Sequence, residues 1–134
     1  MSNKKTGEDF EKEVLKILKE NKFWATKLKE KEMGGPFDIV ATKNNMFISL
    51  EAKNINKGTI FPLSRVEPNQ ISGFKRLSMV GSGSYSFFIF KAKNEVFLLH
   101  SEDVIDKIEL GESSLDVSKG VKLVEWLKLF ENWF

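Results

Sequence analysis

The spacing of hydrophobic residues predicts a helix at the start of the chain. Five apolar side chains recur at intervals of three and four residues, so that they share one face of a helix. Thr6, followed by Asp9 three residues later, matches the pattern of a helix N-cap, and the helix is predicted over residues 7–21. The apolar positions are Phe10, Val14, Leu15, Ile17 and Leu18.

Three short apolar or alternating segments follow this helix and predict three strands. Gly34-Gly35-Pro36 precedes the second of them, and Asn44-Asn45 predicts a tight hairpin turn between the second and the third. The predicted strands are Phe23–Leu28, Phe37–Thr42 and Met46–Lys53.

The regular pattern breaks down over residues 54–66, around Gly58 and Pro62, and predicts a loop that is ordered by a ligand. Regular patterns return beyond this loop, and residues 81–84, Gly-Ser-Gly-Ser, form a connector. The predicted elements are a helix Glu67–Met79, strands Tyr85–Lys91 and Glu95–His100 with a turn at Asn94, a short helix near Glu102–Lys107, an irregular polar stretch and a last helix Val121–Trp133.

This order of elements predicts an α/β protein in which helices flank a central mixed sheet. The chain has 134 residues, of which 41% are hydrophobic and 30% charged, and is large enough to bury one hydrophobic core. Residues 1–134 are therefore expected to form a single domain. The absence of cysteine excludes a disulfide framework and a thiolate nucleophile. No apolar run reaches the roughly 18 residues of a membrane span, so we expect a cytoplasmic protein without membrane contact.

Charge is divided unequally along the chain. Residues 1–93 hold 17 basic and 10 acidic side chains, whereas residues 94–134 hold 4 and 9. The basic part is suited to a phosphate backbone, although a solvated lysine-rich surface explains the charge equally well. The side chains expected to contact DNA are Lys27, Lys29, Lys57, Arg65, Lys75 and Arg76.

Candidate chemistry lies in the hairpin of the second and third strands. The period of two places Glu51 and Lys53 on one face of the third strand. Asp38 lies thirteen residues before Glu51, and the tight turn between the two strands brings the carboxylates together. Carboxylates are the hard oxygen ligands that Mg²⁺ prefers, and a nearby ammonium stabilises charge that develops on a phosphate. These residues predict a metal-dependent phosphodiesterase site.

Glu11 is a further candidate, because it falls within the apolar arc of the first helix. A buried carboxylate needs a partner, so we expect it to bind the metal or to pair with Lys53. Glu8, one turn earlier, is the weaker candidate. His100, the only histidine, is interpreted as a structural residue at a strand end. The aromatic stripe of the last helix, Trp126, Phe130 and Trp133, is expected either in the core or across a homodimer surface.

The motifs Gly34-Gly35-Pro36-Phe37-Asp38 and Leu50-Glu51-Ala52-Lys53 resemble the core of the PD-(D/E)XK nuclease superfamily. This resemblance implies a restriction-endonuclease-like fold. Within the superfamily, Glu51-Ala52-Lys53, Phe61-Pro62-Leu63 and Asn69-Gln70 are similar to the RecU family of Holliday junction resolvases, over about residues 7–80. Such resolvases act as homodimers that use Mg²⁺ or Mn²⁺ to nick opposing strands of branched double-stranded DNA.

The resemblance assigns a role to each matching position. Asp38 and Glu51 correspond to the metal ligands, Lys53 to the catalytic lysine, Glu11 to the acid of the first helix and Gln70 to the polar residue that opens the second core helix. The chain departs from RecU proteins in one respect, because the segment between Phe23 and Asp38 leaves no room for their projecting stalk. Its compactness is closer to the archaeal Hjc resolvases. A phage or a reduced system is the expected source of such a RecU-like resolvase.

Three hypotheses follow from the sequence. The first is a dimeric RecU-like resolvase. The second keeps the nuclease chemistry but acts on a flap, a damaged duplex or a specific duplex site. The third is a catalytically silent DNA-binding protein of the same fold, against which stands the repulsion between closely placed carboxylates that no cation joins.

Overall fold

A six-stranded mixed sheet organises the protein. The computed structural model describes residues 3–28, 37–80 and 84–129. The strands are β1 (Trp24–Lys27), β2 (Ile39–Lys43), β3 (Met46–Asn54), β4 (Ile60–Pro62), β5 (Ser84–Ala92), β6 (Glu95–His100), β7 (Ser114–Asp116) and β8 (Val121–Lys122). The order in the six-stranded sheet is β1-β2-β3-β5-β6-β8. The helices are α1 (Asn3–Glu20), α2 (Pro68–Val80), α3 (Ser101–Glu109) and α4 (Leu123–Lys128). This architecture confirms the predicted α/β class, and no helix within the described ranges is long and apolar enough to cross a membrane.

The predicted hairpin turn between β2 and β3 is confirmed. Asn44 and Asn45 both have positive φ, 52° and 64°, which is the backbone conformation of a two-residue hairpin turn and which asparagine tolerates. Lys93 and Asn94 repeat this geometry between β5 and β6. The first turn fixes the register that pairs Ile39 with Leu50, so the start of β2 lies beside the second half of β3.

Helices cover both faces of the sheet. On one face, α1 and α4 pack with Ile48, Leu50 and Ile89. On the other, Phe74 of α2 and Val104 of α3 pack with Phe88 and Phe90. Since β3 and β5 run parallel, α2 serves as the crossover between them, and its N-terminal end lies near the end of β3. The polar end of β3 and the start of α2 therefore meet.

The first and last helices differ from their predicted bounds. Helix α1 begins at Asn3 rather than residue 7, so Thr6 is inside the helix, because the lysines before it are good helix formers and nothing in the sequence stops the helix there. The last helix begins at Leu123, since Val121 and Lys122 pair with β6 as β8. Trp126 is buried against Phe23 and Phe87, which confirms its core role. Phe130 and Trp133 lie outside the described residues, as do Gly34-Gly35-Pro36 and residues 81–83 of the connector.

The predicted loop over residues 54–66 is instead partly regular. It contains β4 and a 3₁₀ turn at Leu63–Arg65, and β4 pairs antiparallel with β7 in a separate two-stranded sheet. The prediction of an irregular loop is wrong for this part of the segment, because β7, within the stretch predicted to be irregular, supplies backbone partners for β4. That a ligand orders the rest of the segment stays a prediction. Three-residue strands leave too short a pattern for a sequence to reveal.

Gly120 lies where β8 approaches the backbone of β6. A Cβ atom at this position would lie 2.5 Å from the carbonyl oxygen of Leu98 and 2.7 Å from Cδ1 of Leu99. We expect Gly120→Ala to lower the free energy of unfolding by about 1–3 kcal/mol, the usual cost of overpacking. Gly7→Ala is the matched control, since nothing lies within 4 Å of its Cβ position, and it should raise stability by about 0.5–1 kcal/mol. Urea unfolding of both variants tests this; equal stabilities would contradict it.

Candidate active site

Asp38 and Glu51 form a buried carboxylate pair. The amide of Asp38 donates to the carbonyl oxygen of Leu50 (2.9 Å), and its Oδ2 accepts from the amide of Ala52 (3.0 Å), so Asp38 is fixed from both sides of Glu51. Glu51 is only 4% exposed. The predicted convergence of these two residues is confirmed, and it follows directly from the register of the β2–β3 hairpin.

The surroundings of Glu51 oppose its ionisation. Burial, together with the negative charge of Asp38 and a hydrogen bond to it, raises the pKa of Glu51 to about 8, although Lys53 partly offsets this effect. Two carboxyl groups therefore share a confined space that favours a bound proton or a bound cation. A shift of this size in a polar cluster is typical of a functional site.

Lys53 completes the predicted triad. Its Nζ lies 3.4 Å from Oε2 of Glu51 and donates to the carbonyl oxygen of Arg65 at 3.1 Å. The ammonium thus has one partner within the carboxylate pair and a second on the 3₁₀ turn. This second partner was not foreseen, because a backbone carbonyl leaves no signal in the sequence.

Gln70 joins the same cluster from α2. Its Nε2 donates to Oε2 of Glu51 at 2.9 Å, and its Oε1 accepts from the amide of Glu67 at 3.0 Å. The second hydrogen bond caps the N-terminal end of α2 and orients the side-chain amide, so that the NH₂ group faces Glu51. The residue chosen by motif resemblance therefore touches the carboxylate pair.

Glu11 is buried, 7% exposed, as its position on α1 predicted, but its ion-pair partner is different. Oε1 of Glu11 lies 2.8 Å from Nζ of Lys27 on β1, whereas the sequence predicts that Glu11 binds the metal or pairs with Lys53. The bond to Glu11, and more weakly the charges of Glu8 and Asp38, raise the pKa of Lys27. Lys27 reaches Glu11 because β1 packs directly on α1, a contact that the sequence does not reveal.

The residues present fit a divalent cation of the Mg²⁺ type. Asp38 and Glu51 offer only oxygen atoms, and Mg²⁺ commonly uses one or two carboxylates while keeping several waters. Across the described ranges, no group of three or more His, Cys, Asp or Glu side chains is arranged to hold a metal. Glu11 pairs with Lys27 instead, so the core of the candidate site is the pair Asp38 and Glu51.

The basic residues predicted to contact DNA have different surroundings. Lys57 and Arg76 are exposed, and Lys75 is paired with Glu109 at 2.9 Å. Lys27 is held by Glu11, and the guanidinium of Arg65 is engaged within the protein. Lys29 lies outside the described residues.

His100 has the structural role that was predicted. Its Nδ1 accepts from the amide of Glu102 (3.3 Å) at the start of α3, and its ring packs edge-on against Phe87. The histidine therefore caps a helix that follows all of the catalytic candidates along the chain.

Comparison with known proteins identifies the fold and the family of this chain. Among solved structures, the chain is similar to Hjc from Archaeoglobus fulgidus, described as a Holliday junction resolvase from an archaeal hyperthermophile, with a TM-score of 0.67 and 18% identity over 90% of this chain and 99% of that one. At this identity the likeness establishes the fold. A search of curated protein sequences gives no match. The model of one family, RecU (Recombination protein U), matches residues 14–126, which include Asp38, Glu51, Lys53 and Gln70. The chain therefore belongs to the RecU family.

Proposed function

We propose that this protein is a metal-dependent endonuclease that resolves four-way DNA junctions by hydrolysing phosphodiester bonds in opposing strands. RecU is a family of Holliday junction resolvases, and the residue types of the candidate site suit such chemistry. The observation that carries the proposal is the buried pair Asp38 and Glu51, bordered by the ammonium of Lys53 and the amide of Gln70.

Each side chain has a distinct task in this proposal. Asp38 and Glu51 hold the cation, which when bound supplies positive charge to the scissile phosphate and favours ionisation of water. Lys53 donates hydrogen bonds to the oxygen on which negative charge develops. Gln70 keeps the Glu51 carboxylate oriented through its amide. Glu11 holds the ammonium of Lys27 in place and remains a candidate to bind the cation.

A homodimer suits this reaction. Two active sites related by a twofold axis match the symmetry of a four-way junction, so each subunit cuts one strand. Exposed cations, among them Lys57 between β3 and β4 and Arg76 on α2, bind phosphates without reading bases. Recognition then depends on DNA shape and on salt concentration.

A second substrate class has an observation in its favour. The amide of Leu28 donates to the carbonyl oxygen of Asp38 at 2.7 Å, and the connection between β1 and β2 has eleven residues, 28–38. A connection of this length is short for a projecting stalk. A flap or a damaged duplex, which requires no insertion into a junction centre, therefore belongs in the same assay.

The experiment is cleavage of end-labelled DNA by the purified protein, in Mg²⁺, in Mn²⁺ and with chelator. A four-way junction, a matched linear duplex and a flap are compared, with Asp38→Asn as the inactive control. We expect paired, symmetric nicks in the junction, loss of cleavage in chelator and a dimeric mass by light scattering. Equal cleavage of the duplex or flap would reject the resolvase and retain the nuclease, and no cleavage of any DNA would leave a DNA-binding protein.

A further inference from the structure

The direction of the Lys53 ammonium depends on a segment outside β3. Its Nζ donates to the backbone carbonyl of Arg65, at 3.1 Å, in the 3₁₀ turn that joins β4 to α2. A lysine has three rotatable donors on a flexible stem, so an acceptor of fixed position is needed to select one direction. The position of this turn therefore determines where the ammonium points.

The side chain of Arg65 ties the turn to β3. Its NH1 donates to the carbonyl oxygen of Asn54 at 2.9 Å, and Asn54 is the last residue of β3. The guanidinium carbon lies 5.2 Å from the ring centroid of Phe61, which is fully buried and packs edge-on against Phe90. Arg65 thus links the turn to the strand that carries Glu51 and Lys53.

The same turn is held from the other side by the C-terminal third. Phe61 pairs with Leu115 in the β4–β7 sheet, and the amide of Leu63 donates to the carbonyl oxygen of Ser113 at 2.9 Å. Leu63 and Leu115 are both buried. The turn is therefore fixed by main-chain bonds on one side and by the Arg65 side chain on the other.

We propose that Arg65 is a positioning residue, which orients Lys53 by locking the 3₁₀ turn, and that its guanidinium acts within the protein rather than on a DNA phosphate. This inference rests on the proposed function, since the orientation of Lys53 matters only if the site cleaves DNA. The guanidinium stacks on Phe61 while one of its N–H groups donates to the carbonyl oxygen of Asn54. Only a planar group with several N–H donors can make both contacts at once. A lysine at this position keeps the charge but loses this geometry.

The two roles of Arg65 predict different results for Arg65→Lys and Arg65→Ala. If Arg65 positions Lys53, both variants lower the single-turnover rate constant on the best DNA substrate by about 10- to 100-fold, because displacement by about 1 Å costs on that scale. The dissociation constant for DNA, and its dependence on salt, then stay within about twofold of the unmodified protein. If Arg65 binds phosphate, Arg65→Ala weakens DNA binding and lowers, by about one, the slope of the logarithm of the binding constant against the logarithm of the salt concentration. Arg65→Lys, which keeps the charge, then restores both the affinity and the slope. That second pattern would overturn the proposal.

Single-turnover kinetics separate positioning from general destabilisation. A partly unfolded population lowers the amplitude of the reaction, whereas a displaced Lys53 lowers its rate constant. A loss confined to the amplitude, or an unchanged rate constant in both variants, would overturn the proposal while leaving the proposed function intact. Lys107→Ala is the control, because Lys107 is a surface residue of α3 that pairs with Glu112, and it should cleave like the unmodified protein. If the unmodified protein cleaves no DNA, the proposed function fails first and this inference fails with it.

Discussion

Glu51→Gln is expected to lower the rate of DNA cleavage by at least about 100-fold while leaving DNA binding nearly unchanged. The substitution preserves shape but removes a negatively charged oxygen ligand, and the loss of a single electrostatic group at a reacting phosphate is commonly of this size. Gln70 still has an oxygen atom to which its Nε2 donates, so the cluster keeps its packing. Cleavage under single-turnover conditions and DNA binding in a gel or by anisotropy give the two measurements.

Glu112→Gln is the matched control for this variant. Glu112 is an exposed carboxylate that pairs with Lys107, far along the chain from the candidate site, so its loss should change the cleavage rate less than twofold. If Glu51→Gln retained more than a tenth of the cleavage rate, Glu51 would be excluded as a metal ligand.

The stability of the protein without metal is expected to fall as the pH rises from about 5.5 to 8.5. The pKa of Glu51 is raised from 4.5 to about 8 in the folded protein, chiefly by burial and by the charge of Asp38. Between these values the folded state keeps a proton that the unfolded state has released, so each step upward in pH favours unfolding. One pKa unit corresponds to about 1.4 kcal/mol, so the loss over this interval is on the order of 3 kcal/mol.

Urea unfolding at a series of pH values, in chelator, tests this prediction. Glu51→Gln should show a much smaller dependence on pH and should be more stable than the unmodified protein at pH 8.5. Added Mg²⁺ should stabilise the unmodified protein at that pH, because the cation takes the place of the proton, and it should have little effect on the variant. A flat stability profile for the unmodified protein would show that Glu51 ionises normally, and the cation requirement argued from the carboxylate pair would lose its basis.

The local part of the site was predictable from the sequence. Asp38 and Glu51 belong to one hairpin, whose turn at Asn44-Asn45 fixes the register, and the period of two places Lys53 on the same face as Glu51. Such features depend on residues close together in the chain and on backbone geometry common to all strands. The identity of Gln70 came from a resemblance to known motifs rather than from spacing.

The part of the site that the sequence did not predict depends on contacts between segments that are distant along the chain. The pairing of Glu11 with Lys27 requires the packing of β1 on α1, and the acceptor of Lys53 is a main-chain oxygen of Arg65. Strand β7, which holds that turn, has only three residues and lies more than 50 residues beyond β4. Short strands and main-chain partners leave little trace in hydrophobic periodicity, so these parts of the site became visible only in the folded structure.

The pairing of β4 with β7 has a consequence for the order in which the parts of the site form while the chain is being synthesised. Residues that carry the acids leave the ribosome before those of β7, and their hairpin closes through local contacts. The turn that receives the Lys53 ammonium lacks its partner strand until residues 114–116 have been made. The alignment of Lys53 through this turn therefore comes after the carboxylate hairpin, once β7 has been made and has paired with β4.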